Sequence, residues 1–247
     1  MFLFVSVCAL LLTGCVTMDT TMHETAIPRD TSGVGIDAYC GIGSPVFNAA
    51  SQVDKDDSKL GFFGWILVGS LVSSSVIGVK VDAPLGKTTD FVGRAYTTGL
   101  GYVYGGKVGF KQLLKRDIRS KEESDSGKAD TYTSILPSIN IGRLGYNDEP
   151  NIPRDYIGIE CLWLKSWDWK EKTIITAGMH VNLDRVSLDS TKDAKGGNNF
   201  LYGGININLQ GRAKKTILTN DIGINVYPSS GNKWAAFPTF SIGIGWD

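Results

Sequence analysis

The sequence predicts an all-β protein, an antiparallel meander β-barrel of about eight to ten strands. Three observations carry this expectation. The C-terminal segments alternate apolar and polar residues with a period of two, as in Phe240, Ile242, Ile244 and Trp246 against Thr239, Ser241, Gly243 and Gly245. The connections between such segments hold the turn chemistry and most of the charge, as in "GYNDEPNIPRD", "DSTKDAKGGNN" and "PSSGNK". No long amphipathic helical pattern interrupts them, so neighbours in sequence pair as neighbours in a sheet.

From the N-terminus, residues 1–14 are an apolar run ending in small residues, too short to span a bilayer as a helix and suited to an export signal. Leu12-Thr13-Gly14-Cys15 resembles the lipobox of bacterial lipoproteins. That resemblance implies removal of residues 1–14, lipidation of Cys15 and a tie to membrane lipid. Val16, in place of the Asp that holds such proteins in the inner membrane, favours the outer membrane. Residues 15–33 are Thr-rich, polar and aperiodic, and read as a flexible tether in which His23 is a solvated side chain. Residues 34–247 then form the barrel domain.

The chain has 247 residues, with 25 basic and 25 acidic side chains. With no net charge there is no global field to attract nucleic acid, and no such partner is expected. Cys40 and Cys161 remain after the leader and the lipidation site are set aside. In an oxidising compartment they are a candidate disulfide, worth about 4–5 kcal/mol by loop-closure entropy, with two buried small residues as the other reading.

Residues 60–79 carry no charge and have the length of a membrane-spanning helix. Four glycines, Ser73-Ser74-Ser75 and a high β-branched content favour instead a hairpin with strands near 62–72 and 76–83. Next, Gly86-Lys87-Thr88 mimics the end of a phosphate loop but lacks the earlier glycine, which excludes a nucleotide site. Asp82, Pro84, Leu85 and Asp90 resemble a segment of small lipoproteins of the YceK/YidQ type, a family that transfers no site. Further strands are expected near 93–110, 131–145, 155–167, 173–183, 200–210, 217–227 and 236–246.

The last four strands decide which way the barrel faces. Ala177, Met179, Val181 and Leu183 define one face, continued by Ile205, Ile207, Leu209, Ile222, Ile224 and Val226. The opposite face is small and polar, and Asp221 alone is charged on it. A sheet open to bulk water carries about 25–35% charged residues. A nearly neutral face of small residues fits a narrow lumen, which turns the apolar face to lipid. Tyr156, Trp163, Trp167, Trp169, Tyr202, Tyr227, Trp234 and Trp246 suit interfacial girdles. "WKEK" and "GRAKK" would be short periplasmic turns, with connections 146–154, 184–199 and 228–235 outside; the 111–130 connection breaks that pattern. The competing arrangement is a soluble, lipid-tethered barrel with the Ile/Val face inside, holding a small apolar ligand as lipocalins do.

No chemistry is expected. His180 would need a nucleophile, for which Ser241 or Ser138 are the nominees, and no His, Cys or acidic spacing suits a metal. Neither catalysis nor a cofactor follows. The expected task is structural or binding work at the outer membrane of a bacterial envelope, through a partner the sequence does not name. A lipid-modifying enzyme centred on His180 is the third reading.

Overall fold

The computed structural model describes residues 15–29, 33–48, 75–98, 103–119, 128–144, 153–169, 173–188, 197–213, 215–229 and 233–246. Twelve strands occupy them: β1 (Cys15–Met18), β2 (Gly35–Ile42), β3 (Ser44–Asn48), β4 (Ser75–Pro84), β5 (Thr89–Thr98), β6 (Val103–Asp117), β7 (Asp130–Leu144), β8 (Pro153–Trp169), β9 (Thr173–Leu188), β10 (Gly197–Ala213), β11 (Thr216–Ser229) and β12 (Lys233–Trp246). β2 and β4 to β12 close into a ten-stranded antiparallel barrel in which each strand pairs with its neighbour in the series and β12 returns to β2. β1 and β3 form a separate two-stranded sheet.

Alternation sets the two faces. Outward positions hold Ile77 and Val79 on β4, Ile139 and Ile141 on β7, and Ile157 and Ile159 on β8, all exposed. The same is true of Met179, Val181, Ile205, Ile207, Ile222, Ile224, Ile242 and Ile244. Outward charges stand only toward the strand ends, with Arg143, Asp155 and Arg185 at one edge and Lys115, Asp117 and Lys165 at the other. Arg143 and Asp155 bridge neighbouring strands there at 3.6 Å. The intervening belt is charge-free among the described residues. β6 to β10 run 15 to 17 residues, longer than the roughly 9–11 that a tilted strand needs to cross a bilayer, so their charged ends reach beyond such a belt.

The inward face is polar. Thr176, His180, Asn182 and Asp184 line it on β9, and Asn206, Asn208 and Gln210 on β10. Thr219, Asp221 and Asn225 do so on β11, and Thr239 and Ser241 on β12. β2 to β8 add charges absent from the last four strands apart from Asp184 and Asp221: Asp37, Lys80, Asp82, Asp90, Arg94, Lys107, Lys111 and Glu160. Two small apolar clusters interrupt this polarity. One joins Val92, Tyr132, Leu136, Leu162 and Leu164 with Met22 and Ala26, and the other is Tyr39, Val76 and Tyr96.

Several expectations change. The strand expected over 93–110 is two, β5 and β6, which pair antiparallel with Thr98 opposite Val103. β2 was not anticipated; its alternation is short and begins beside the segment read as a tether. The candidate strand near 62–72 lies outside the described residues, whereas residues 75–79 of the charge-free run belong to β4. Tyr156 and Tyr202 are not girdle residues. Their parity turns them inward, where Tyr156 meets the Tyr96 hydroxyl and Tyr202 donates to Asp184 at 2.6 Å. Trp163, Trp169, Trp234 and Trp246 do face outward.

The rims are unequal. β2 starts and β12 ends at one of them, the C-terminal rim, where the connections are 85–88, 118–129, 170–172 and 214–215. The other, the loop rim, takes 99–102, 145–152, 189–196, 230–232 and the passage from β2 to β4. The connections expected outside therefore share one rim, and the long one after β6 stands on the other.

Candidate functional site: a lumen closed by the N-terminal segment

Residues 19–29, Asp-Thr-Thr-Met-His-Glu-Thr-Ala-Ile-Pro-Arg, lie inside the barrel. Asp19, Thr20, Thr21, Met22, His23, Glu24 and Ala26 are all buried. This corrects the reading of the segment as a solvated tether. Its polarity, which in isolation suggests water, matches a polar lumen instead.

Cations on the wall hold the segment's acids and carbonyls. Arg94 donates to the Thr21 carbonyl at 2.6 Å, to the Met22 carbonyl, and to Glu24 at 3.2 Å, with Asp19 3.7 Å away. Lys80 donates to the His23 carbonyl at 2.6 Å and lies 3.7 Å from Glu24, while Asp37 and Asp82 flank it at 2.9 and 2.8 Å. Buried ions are tolerated only when paired in this way, and removing one partner of such a set costs about 3–5 kcal/mol. Tyr39 donates to Asp19 at 2.5 Å, and its ring packs on His23 with centroids 4.5 Å apart.

The segment's backbone groups are answered too, as burial requires. The Met22 amide donates to Asp221 at 2.8 Å. Ala26 is clasped from both sides, its amide donating to Ser166 at 2.7 Å and its carbonyl accepting from Ser134 at 2.5 Å. The Arg29 amide donates to Asp90 at 3.1 Å, and Lys111 neutralises that carboxylate at 3.0 Å. His23 takes a positive φ of 40°, uncommon outside glycine, and its ring lies 2.6 Å from the Ser241 hydroxyl. Met22 settles over Gly178, where a Cβ would collide with its sulfur. Burying Met22 contributes about 1.5–3 kcal/mol.

Little space remains. The cavity between segment and wall, beside Thr21, Lys107, Glu160 and His180, is about 20 Å³, room for about one water. At the C-terminal rim the barrel widens into an open vestibule of about 530 Å³, lined in part by Arg29, Lys87, Lys111, Arg116 and Arg212.

Cys15 is on β1, paired with Asn48. Cys40 and Cys161 are free thiols, both exposed. They stand on β2 and β8, five strands apart in a ring of ten, which corrects the candidate disulfide: the barrel's width separates them. His180 faces the lumen, and Ser241 serves His23 instead. Ser138 lines the small cavity with His180. Among the described residues no His, Cys, Asp and Glu group could hold a metal. Lys80, Arg94 and the segment they hold escaped the sequence reading. The available signal was the spacing of Lys80 and Asp82, of Asp90 and Arg94, and of Lys107 and Lys111, each pair sharing one strand face.

No protein-family model matches the chain, and no curated protein matches it. Among solved structures it is similar to Neisserial surface protein A, at 10% identity over 88% of this chain and 99% of that one, with a TM-score of 0.37. It is also similar to the translocator domain of the autotransporter NalP from Neisseria meningitidis, at 9% identity, 99% and 95% coverage, and a TM-score of 0.30. A third is OmpT, an outer membrane protein of Vibrio cholerae, at 13% identity, 72% and 66% coverage, and a TM-score of 0.26.

Proposed function

We propose that this chain is an outer-membrane-spanning barrel with a structural or binding role at the bacterial envelope, anchored additionally by lipid on Cys15 and without enzymatic activity. The observation that carries the proposal is the outward belt of Ile, Val, Leu, Met and Phe, free of charge among the described residues and bounded by charged rims. Exposed apolar patches on soluble monomers rarely exceed a few hundred Å². A belt passing round a closed barrel needs a solvent of its own kind, and lipid is that solvent. The Ile/Val face points out, the cavity beside Thr21 and His180 is about 20 Å³, and the wider vestibule is lined by Arg29, Asp37, Lys80, Asp82, Lys111 and Arg212, so a carrier of apolar ligands finds no apolar wall among the described residues.

The test is to express residues 15–247 with Cys15→Ser and no leader. Folding only in micelles or bilayers supports the proposal. A chain that stays folded and monodisperse without detergent overturns it.

A further inference from the structure

We infer that the chain threads its own N-terminal segment through the barrel, so that Cys15 and Trp246 leave on opposite sides of the membrane. The inference rests on the spanning reading above and deepens it. A lipid on Cys15 then enters the leaflet at the loop rim, the leaflet facing outward when the longer connections are extracellular.

Two observations give the direction. Inside the lumen the segment runs against β2. Asp19 meets Tyr39, part-way up that strand, whereas Arg29 lies beside Gly35, the first residue of β2, and beside Asp90 near the start of β5. Both of those positions are at the C-terminal rim. Ahead of the segment, β1 pairs with β3, with Cys15 opposite Asn48 and Met18 opposite Ser44. β3 follows Ile42, the end of β2 at the loop rim. The chain thus enters at the loop rim, descends through the lumen, turns at the C-terminal rim and rises again as β2.

Length permits this. Residues 19–29, at about 3.3 Å each when extended, span roughly 36 Å, against an apolar band about 25 Å tall on barrels of this kind. The segment is fastened along that path by Asp221 at Met22, by Ser166 and Ser134 at Ala26, and by Asp90 at Arg29. The same geometry makes a lipid anchor and a spanning barrel compatible. The anchor and the barrel's C-terminus serve opposite faces, and the lodged segment is the tether between them.

The experiment uses the full chain in cells. One short epitope is inserted between Val16 and Thr17, ahead of the lodged segment, and another follows Asp247. In intact cells antibody should reach the first tag alone, and the second only after the outer membrane is permeabilised; both tags reached in intact cells, or neither reached until permeabilisation, overturns the inference. A second construction is independent of the tags. Ala26→Cys with Ser166→Cys, in a Cys40→Ser and Cys161→Ser background, should form an intramolecular disulfide in the folded barrel. A folded barrel that never cross-links also overturns the inference. The two proposals fail separately. A chain that cross-links at 26 and 166 yet stays soluble without detergent keeps the threading and loses the membrane. One that requires detergent but presents both tags on one side keeps the membrane and loses the threading.

Discussion

Arg94→Met removes the cation on which the lodged segment converges. In the native lumen its guanidinium serves the carbonyls of Thr21 and Met22 and the carboxylate of Glu24, with Asp19 3.7 Å away. Methionine fills much of the volume and answers none of these groups. Glu24 keeps only Lys80 at 3.7 Å, a long contact already shared with Asp37 and Asp82, while Asp19 loses a cation but retains the Tyr39 hydroxyl at 2.5 Å. The expected cost is about 3–5 kcal/mol. The wall strands pair continuously with one another and not through the segment, so the loss falls on lodging while the barrel persists. At about 1.36 kcal/mol per tenfold, the open population rises roughly 100- to 5,000-fold. Amide hydrogen exchange reads this directly, because the Met22 and Ala26 amides are held by Asp221 and Ser166 and exchange only when the segment leaves. Adding Asp19→Asn and Glu24→Gln to Arg94→Met should restore much of the protection, since neutral amides bury at less cost. Protection at Met22 and Ala26 within about threefold of wild type in the single variant, at roughly 1.36 kcal/mol per tenfold, would refute the assignment of Arg94 as the clasp.

Three further outcomes test other parts of the structure. Ile207→Lys, on the outward face of β10 between Ala177 and Ile222, should destabilise the barrel by about 2–4 kcal/mol in liposome-based urea unfolding; a change within about 0.5 kcal/mol, typical of a wetted surface, contradicts a lipid-facing belt. Deleting residues 19–29 should leave a water-filled lumen that conducts ions in planar bilayers, where the full chain is silent. A folded deletion variant with no more conductance than wild type counts against the segment as the closing element. Finally, mass spectrometry after alkylation under non-reducing conditions should find both Cys40 and Cys161 modified, and an intramolecular bridge between them would contradict the barrel topology.

Much of the wall was legible in the sequence because a strand's faces alternate with a period of two. The assignment of Ile205, Ile207 and Leu209 to one face and Asn206, Asn208 and Gln210 to the other needs only parity, and the structure keeps it. The same parity, applied to Tyr156 and Tyr202, would have turned them inward; they were read as girdle residues from type alone. β5 and β6 merged in the reading because glycines between two strands and glycines within one look alike in a β-rich run. The candidate disulfide failed for another reason. Cysteine spacing along the chain carries no information on distance around a closed ring, and β2 and β8 come to stand opposite one another only when β12 pairs with β2.

By itself the sequence determined the class of the protein: an all-β antiparallel meander whose C-terminal strands carry one apolar and one small, polar face. Both follow from local alternation and turn chemistry, and neither needs distant residues to meet, whereas closure through the β12–β2 pairing does. Only the tertiary structure decided what fills the lumen. Asp19 to Arg29 show no periodicity and form no strand, so their partners are set by complementarity with Lys80, Arg94, Ser166 and Asp221, reached through hydrogen bonds that span 57 to 199 positions of the chain. A polar segment and a polar lumen each resemble something wetted by bulk water when read alone. Closing the barrel removes that water, and the unpaired charges of one then find their lowest free energy in the other.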